Sequence, residues 1–236
     1  MKRLASLVVA VILSGCGENG GDTAQNRPTD RMHHDLAKVS GELKQQPNSP
    51  LLYFEIGQIY ERYGLIDSAL ASYDHSVLLH EAFPEAHQRR GDLHFHKQNL
   101  ELSAAAYEQA ARFAPNAPQV HNNLGFVYRR QNRLDEAIGA YERALALDSL
   151  MVEAINNLGQ VYRESGDISS AIRSFRRAIS VDADFRQAYV NLTKMLAEEG
   201  EQTQEERDLL EQMVSRFDPS READYARSRL AELDGE

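Results

Sequence analysis

The feature that most constrains this chain is an interval of 34 residues at which the same residue types return. A glycine recurs at this interval, and it is followed first by a small residue and then by an aromatic residue. The three series are Gly57, Gly91, Gly125 and Gly159; Ala69, Ser103, Ala137 and Ala171; and Tyr73, Tyr107, Tyr141 and Phe175. A fixed period of this length marks a structural unit that stacks on copies of itself, so the sequence predicts an array of like units.

Each unit carries the pattern of two helices joined by a short turn. The residues expected on one face of the first helix recur at helical spacing, as in His121, Leu124, Gly125 and Tyr128. The residues expected in the turns, of types that suit helix ends, are Gly64, Asn99, Asn132 and Gly166. The period and the residue series resemble the tetratricopeptide repeat. This resemblance implies an all-α fold, a right-handed superhelical solenoid of helix-turn-helix repeats.

The repeats are expected to fill most of the chain. Four repeats are placed at 50–83, 84–117, 118–151 and 152–185. A degenerate fifth repeat follows at 186–219, in which Thr193 replaces the glycine and Glu205 the small residue. Because the end units of such arrays need polar caps, we expect an N-terminal capping helix at 30–49 and a C-terminal one at 220–236.

The N-terminus has the features of an export signal. Met1-Lys2-Arg3 precedes an apolar stretch that is shorter than the roughly 20 residues of a membrane-spanning helix. Leu13-Ser14-Gly15-Cys16 resembles a bacterial lipobox, which implies cleavage before Cys16 and acylation of its thiol and amine. We therefore expect a lipoprotein signal peptide at 1–15 and, because residues after Cys16 are rich in Gly and Asn, a flexible tether at 16–29.

Composition and the lipobox restrict partners and location. The chain has 26 Lys and Arg against 36 Asp and Glu, a formal net charge of −10, which excludes general nucleic-acid binding. A single cysteine excludes internal disulfides and cysteine metal clusters. The lipobox resemblance implies attachment to the membrane in the bacterial cell envelope. Gly17, where Asp favours inner-membrane retention, points to the outer membrane facing the periplasm if the host has two membranes.

The sequence shows no pattern typical of catalysis. It lacks a phosphate-binding loop, a dinucleotide fingerprint, a Gly-x-Ser-x-Gly and a His-Glu-x-x-His, so we expect neither enzymatic activity nor a cofactor. Eight histidines keep a metal-binding or enzymatic protein as a minor alternative, since imidazole is a common metal ligand. His87 and His94 stand at positions that the repeat uses for packing, which favours a core role.

The face of the first helices that is not used for packing is the candidate binding site. The family resemblance implies that these helices line a concave groove for a peptide or protein segment. The candidates are Arg89, Asn122, Asn123, Phe126, Arg129, Arg130, Asn156, Asn157, Gln160, Arg163 and Asn191. Amides can hydrogen-bond an extended peptide backbone, arginines pair with carboxylates, and a phenylalanine can anchor a partner.

Each of these readings has a structural alternative. The series Asn123, Asn157 and Asn191 is either a peptide-binding ladder or a consensus feature of the repeat. The arginines are either open to a partner or solvated and paired with neighbouring glutamates, and Phe126 either meets a partner or packs between units.

Together these features favour a lipid-anchored, noncatalytic adaptor that binds a peptide segment or protein partner in its groove and assembles an envelope complex. The alternative is an accessory subunit of a secretion, pilus or cell-wall machinery that interacts through its outer face or its caps.

Overall fold

The computed structural model describes residues 28–198 and 204–235 of the chain. These residues form twelve α-helices and no strand, which confirms the predicted all-α class. The helices are α1 (Pro28–Gln45), α2 (Pro50–Arg62), α3 (Ile66–Leu79), α4 (Pro84–His96), α5 (Leu100–Phe113), α6 (Pro118–Arg130), α7 (Leu134–Leu147), α8 (Val152–Ser165), α9 (Ile168–Val181), α10 (Arg186–Glu198), α11 (Gln204–Phe217) and α12 (Arg221–Asp234). In this part of the chain, no helix has both the length and the apolar character needed to cross a membrane.

The predicted signal peptide and Cys16 lie outside the described residues, as does the predicted tether up to residue 27. The last two residues assigned to the tether, 28 and 29, belong instead to α1, which begins at Pro28.

The chain divides into two compact units, and the division falls between Pro115 and Asn116. The first unit contains α1–α5, and the second contains α6–α12. Consecutive helices pack as hairpins, α2 with α3 and α4 with α5 in the first unit, and α6 with α7 and α8 with α9 in the second. Helix α1 packs on α2, and in the second unit α11 packs between α10 and α12.

In each of the four regular hairpins, an aromatic ring of the second helix lies on a glycine of the first helix. A Cβ atom added to Gly159 would lie 2.7 Å from the nearest ring atom of Phe175. The corresponding distances to the tyrosine rings are 2.5, 2.8 and 2.9 Å for Gly57, Gly91 and Gly125. All four rings are buried. The glycines are therefore required for close approach of two helices, and this contact explains why glycine and aromatic residues share one period.

The fifth repeat keeps the hairpin with different side chains. Thr193 is fully buried in place of glycine, and its hydroxyl donates to the backbone oxygen of Tyr189 at 2.9 Å. The aromatic position is held by Leu209, which is also buried. Glu205, which replaces the small residue, accepts from Nε of Arg176 at 2.7 Å near the surface. A larger residue on the first helix thus accompanies a smaller one on the second.

The turns between the two helices of each regular hairpin contain one residue with left-handed backbone, and this residue recurs every 34 positions. Its place in the second repeat corrects the predicted turn residue. Positive φ angles occur at Gly64, Gln98, Asn132 and Gly166. The turn residue of the second repeat is therefore Gln98 and not Asn99, which lies at the N-cap of α5. The period was decisive here, because the hairpin geometry places a left-handed residue at that point even though glutamine has no special preference for it.

The end helices are held by different interactions. Leu36, Val39 and Leu43 of α1 are buried in the core of the first unit. At the other end, the hydroxyl of Ser220 caps α12 by accepting from the backbone nitrogen of Ala223 at 3.2 Å. An ion pair joins Nε of Arg229 to Oε1 of the fully buried Glu206 at 2.9 Å, and so attaches α12 to α11.

We expect Gly125→Ala to lower the free energy of unfolding by about 1–3 kcal/mol, because the new methyl group must displace the buried ring of Tyr141. Gly139→Ala is the matched control, since nothing lies within 4 Å of a Cβ at this interior position of α7. Alanine has the higher helix propensity, so the control is expected to gain up to about 1 kcal/mol. Urea unfolding followed by circular dichroism measures both, and equal effects would contradict the packing account.

Candidate functional site

Ten of the eleven candidate residues lie in the second unit, on the first helices α6, α8 and α10. Arg89 lies on α4 of the first unit. Helix α6 contacts α8, and α8 contacts α10, so the first helices of successive repeats lie side by side within the second unit. We call the surface that these three helices form with their candidate residues the first-helix face.

Amide side chains connect neighbouring helices across this face. Nδ2 of Asn157 donates to Oδ1 of Asn122 at 3.3 Å, and Nδ2 of Asn191 donates to Oδ1 of Asn156 at 2.8 Å. Within α6, Nδ2 of Asn122 donates to Oδ1 of Asn123 at 3.4 Å. The two asparagines of each bridge are 35 residues apart, one more than the repeat length. Each donor therefore bonds not to its equivalent in the preceding repeat but to the residue just before that equivalent.

The two amide bridges differ in burial. Asn156 and Asn191 are 3% and 8% exposed, and their bond lies inside the protein, whereas Asn122, Asn123 and Asn157 are half-buried. The sequence predicts Asn156 and Asn191 on the open surface, and the structure places them in the interior instead. The physical reason is that a buried amide requires a partner, and each of the two supplies the other's. The expected asparagine ladder therefore ends at Asn157.

The charged candidates also differ in their surroundings. Nε of Arg129 lies 3.0 and 3.1 Å from the two carboxylate oxygens of Glu164, and the arginine side chain is 19% exposed. Arg163 is half-buried and forms no ion pair with any of the described residues. Arg130 is exposed. Arg163 is therefore the candidate cation whose charge has no counterpart within the described part of the chain.

The remaining candidates on this face, Phe126 and Gln160, are half-buried. Phe126 lies one turn before Arg130, and Gln160 lies one turn after Asn156. The first-helix face thus offers amide and guanidinium groups beside one aromatic ring.

In the first unit, the region around Arg89 contains two carboxylates that sequence reasoning missed. Nη1 of Arg89 lies 3.7 Å from carboxylate oxygens of both Glu61 and Asp92. The hydroxyl of Tyr73 donates to Glu61 at 2.6 Å, and the hydroxyl of Tyr107 donates to Asp92. Burial raises the pKa of Asp92, while its hydrogen bond from Tyr107 and the nearby Arg89 lower it. The rings of both tyrosines are buried, yet their hydroxyls reach polar groups of the first helices.

The net charge of these three positions is reversed two repeats later. There, the positions of Glu61, Arg89 and Asp92 are held by Arg129, Asn157 and Gln160. Two carboxylates and one guanidinium group are replaced by one guanidinium group and two amides. The first-helix face therefore suits negatively charged or hydrogen-bond-accepting groups, and a comparison of equivalent positions in the sequence could have shown this reversal.

The two histidines at packing positions, His87 and His94, lie at least half-buried in the first unit. His87 is buried, its Nε2 lies 2.8 Å from the backbone oxygen of Glu81, and its ring stacks on Phe113. Burial lowers the pKa of His87 and also that of the half-buried His94. Among residues 28–198 and 204–235, no group of three or more His, Cys, Asp or Glu side chains could hold a metal ion.

We expect Asn156→Ala to lower the free energy of unfolding by about 1–3 kcal/mol, because it leaves the buried amide of Asn191 without its acceptor. The matched control is Asn123→Ala on the half-buried part of the same face, for which we expect a change within about 0.5 kcal/mol. Urea unfolding measures both variants. A loss at Asn123 as large as that at Asn156 would contradict the distinction between structural and open amides.

Sequence comparison identifies the type of repeat. Three profiles described as tetratricopeptide or TPR repeats match residues 117–184, 91–131 and 156–222. Together they span more than half of the chain. No curated protein matches the sequence.

Solved structures with similar backbones are also proteins of this kind. YrrB, a TPR protein with an unusual peptide-binding site, superposes with a TM-score of 0.67 at 17% identity, covering 82% of this chain and 99% of its own. MamA gives 0.61 at 22% identity, with 70% and 97% covered. PilF of Pseudomonas aeruginosa gives 0.59 at 19% identity, with 78% and 91% covered. At these identities the likeness establishes the fold.

Proposed function

Because the chain belongs to the tetratricopeptide-repeat family, we propose that it is a noncatalytic adaptor that binds a peptide segment of a partner protein on its first-helix face. The observation that carries this proposal is the set of half-buried polar groups on neighbouring first helices, where Asn122, Asn157, Gln160 and Arg163 lie. Such groups are partly shielded from water, so hydrogen bonds to a ligand gain strength there. The peptide-binding site described for YrrB, which has the same fold, supports the proposal.

The spacing of the first helices suits an extended peptide. Packed helices lie about 8–10 Å apart, which is close to the length of three residues of extended chain at about 3.3 Å each. An extended peptide exposes one backbone donor and one backbone acceptor per residue. Amides such as Asn157 and Gln160 offer both kinds of group, so they can bind a peptide backbone without selecting its sequence.

We further propose that this adaptor is attached to a membrane of the bacterial envelope, where it would assemble an envelope complex. Its support is the sequence Leu13-Ser14-Gly15-Cys16, in which Cys16 would carry the lipid. Two or more acyl chains suffice to hold a protein stably on a bilayer. Gly17 favours the outer membrane, facing the periplasm, if the host has two membranes.

A second candidate surface is the outer face of the first unit, as expected of an accessory subunit. Leu78 on α3 and Leu102 on α5 are 73% and 53% exposed. A partner that docks on the outside of the hairpins would contact exposed leucines such as these.

The test selects binders of the full chain from a randomised, displayed decapeptide library. We then expect the triple variant Asn123→Ala, Gln160→Ala, Arg163→Ala to weaken binding of the selected peptides at least tenfold, because it removes an amide, a second amide and a cation from the first-helix face. Fluorescence anisotropy of labelled peptides measures the affinity.

The control for this test is the double variant Leu78→Ala, Leu102→Ala, which should bind the peptides as the unmodified chain does. Circular dichroism verifies that both variants remain folded. Loss of binding in the double variant with retention in the triple variant would reject the first-helix face in favour of the outer face, and a library without binders would reject the peptide-binding function.

A further inference from the structure

The hydroxyl of Tyr141 differs from those of its counterparts in the earlier repeats. Tyr73 donates to Glu61, and Tyr107 donates to Asp92. Tyr141 is fully buried, and its hydroxyl has no hydrogen-bond partner among the described residues. A buried polar group without a partner is unfavourable, so this hydroxyl points to an acceptor from outside the chain.

The sequence explains why the described part of the chain supplies no acceptor for this hydroxyl. In the first repeat the acceptor lies 12 residues before the tyrosine, and in the second it lies 15 residues before. For Tyr141 these positions are occupied by Arg129 and Phe126, neither of which has a side-chain acceptor. The fourth repeat has Phe175 at the equivalent position, where the ring packs on its glycine without a hydroxyl. Packing alone therefore does not require the hydroxyl of Tyr141.

We propose that Tyr141 and Arg129 form a subsite for a carboxylate group of the bound peptide. This inference rests on the proposed function, because the carboxylate belongs to the peptide on the first-helix face. The ligand's carboxylate would take the place that Glu61 and Asp92 hold in the first unit, accepting from the Tyr141 hydroxyl and the Arg129 guanidinium group. Arginine and tyrosine together supply a charged and a neutral donor, which favours a carboxylate over a neutral amide.

The neighbouring groups on this face agree with that chemistry. Asn157 and Gln160 occupy the positions that Arg89 and Asp92 hold in the first unit, and both can donate to a bound anion. Burial raises the pKa of Tyr141, with Arg129 lowering it and Glu164 raising it, so both charged groups act on this hydroxyl. The hydroxyl remains protonated at neutral pH and is available as a donor.

Glu164 pairs with Arg129 in this structure. Both side chains are partly exposed, 19% for Arg129 and 34% for Glu164, and ion pairs of this kind contribute little to stability. A carboxylate from the ligand can therefore replace Glu164 at Arg129 at small cost. Removal of the glutamate charge should strengthen binding of an acidic peptide, which a purely structural role of the pair does not predict.

The carboxylate can come from an Asp or Glu side chain or from a peptide C-terminus, and the experiment separates these sources. Three decapeptide libraries are compared, each randomised among neutral residues around a fixed centre. The first has central Glu and an amidated C-terminus, the second has central Gln and an amidated C-terminus, and the third has central Gln and a free C-terminus. We expect the full chain to bind one of the two carboxylate libraries at least tenfold more tightly than the amidated Gln library.

Variants then assign the effect to the subsite. We expect Tyr141→Phe to weaken binding of the preferred carboxylate library at least fivefold, without changing binding of the amidated Gln library or lowering the unfolding temperature. Tyr107→Phe is the control, because its hydroxyl already donates to Asp92, and it should leave binding unchanged. Glu164→Gln should strengthen binding of the carboxylate library at least twofold.

The outcomes distinguish this inference from the proposed function. Equal binding of all three libraries, or an equal loss for all of them in Tyr141→Phe, would overturn the carboxylate subsite and leave peptide binding intact. A chain that binds none of the libraries would overturn both.

Discussion

The contact between an aromatic ring of the second helix and a glycine of the first governs this structure. It sets the separation of the two helices in each of the four regular hairpins, since any side chain on the glycine would collide with the ring, as at Gly159 and Phe175. The same contact directs the tyrosine hydroxyl toward polar groups of the first helix, as with Tyr73 and Glu61. One residue thus joins the core of the hairpin to the face on which we place the ligand. The Gly–aromatic contact is the same in the regular hairpins of both units, whereas the partner of the tyrosine hydroxyl changes from repeat to repeat.

The hairpins could be predicted from sequence because the interactions that define them lie within one repeat. Gly125 and Tyr141 are 16 residues apart and recur with the period, so pattern alone was sufficient to identify all-α repeats. The turn at Gln98 was missed for a related reason. Residue preference suggested Asn99, while the period, which reflects the geometry of the whole hairpin, placed the left-handed residue one position earlier.

The details of the candidate site could not be predicted in the same way. Burial of Asn156 with Asn191 depends on how two first helices approach each other, and position in the repeat does not separate this pair from the more open Asn122 and Asn157. The hydroxyl of Tyr141 has no partner among the described residues because of the side chains 12 and 15 positions earlier, which change from repeat to repeat. The division of the chain after residue 115 also had no counterpart in the period, which continues through it unchanged.

The central claim is that a peptide lies across the first helices of the second unit, and photo-crosslinking tests it most directly. A benzophenone amino acid replaces Gln160 on the first-helix face or, as the control, the exposed Glu142 on the second helix α7. Each protein is irradiated with a labelled peptide selected for binding to the unmodified chain, and the crosslinked product is quantified. The account predicts a crosslink from position 160 and none from position 142. A crosslink from position 142, with none from position 160, would contradict it.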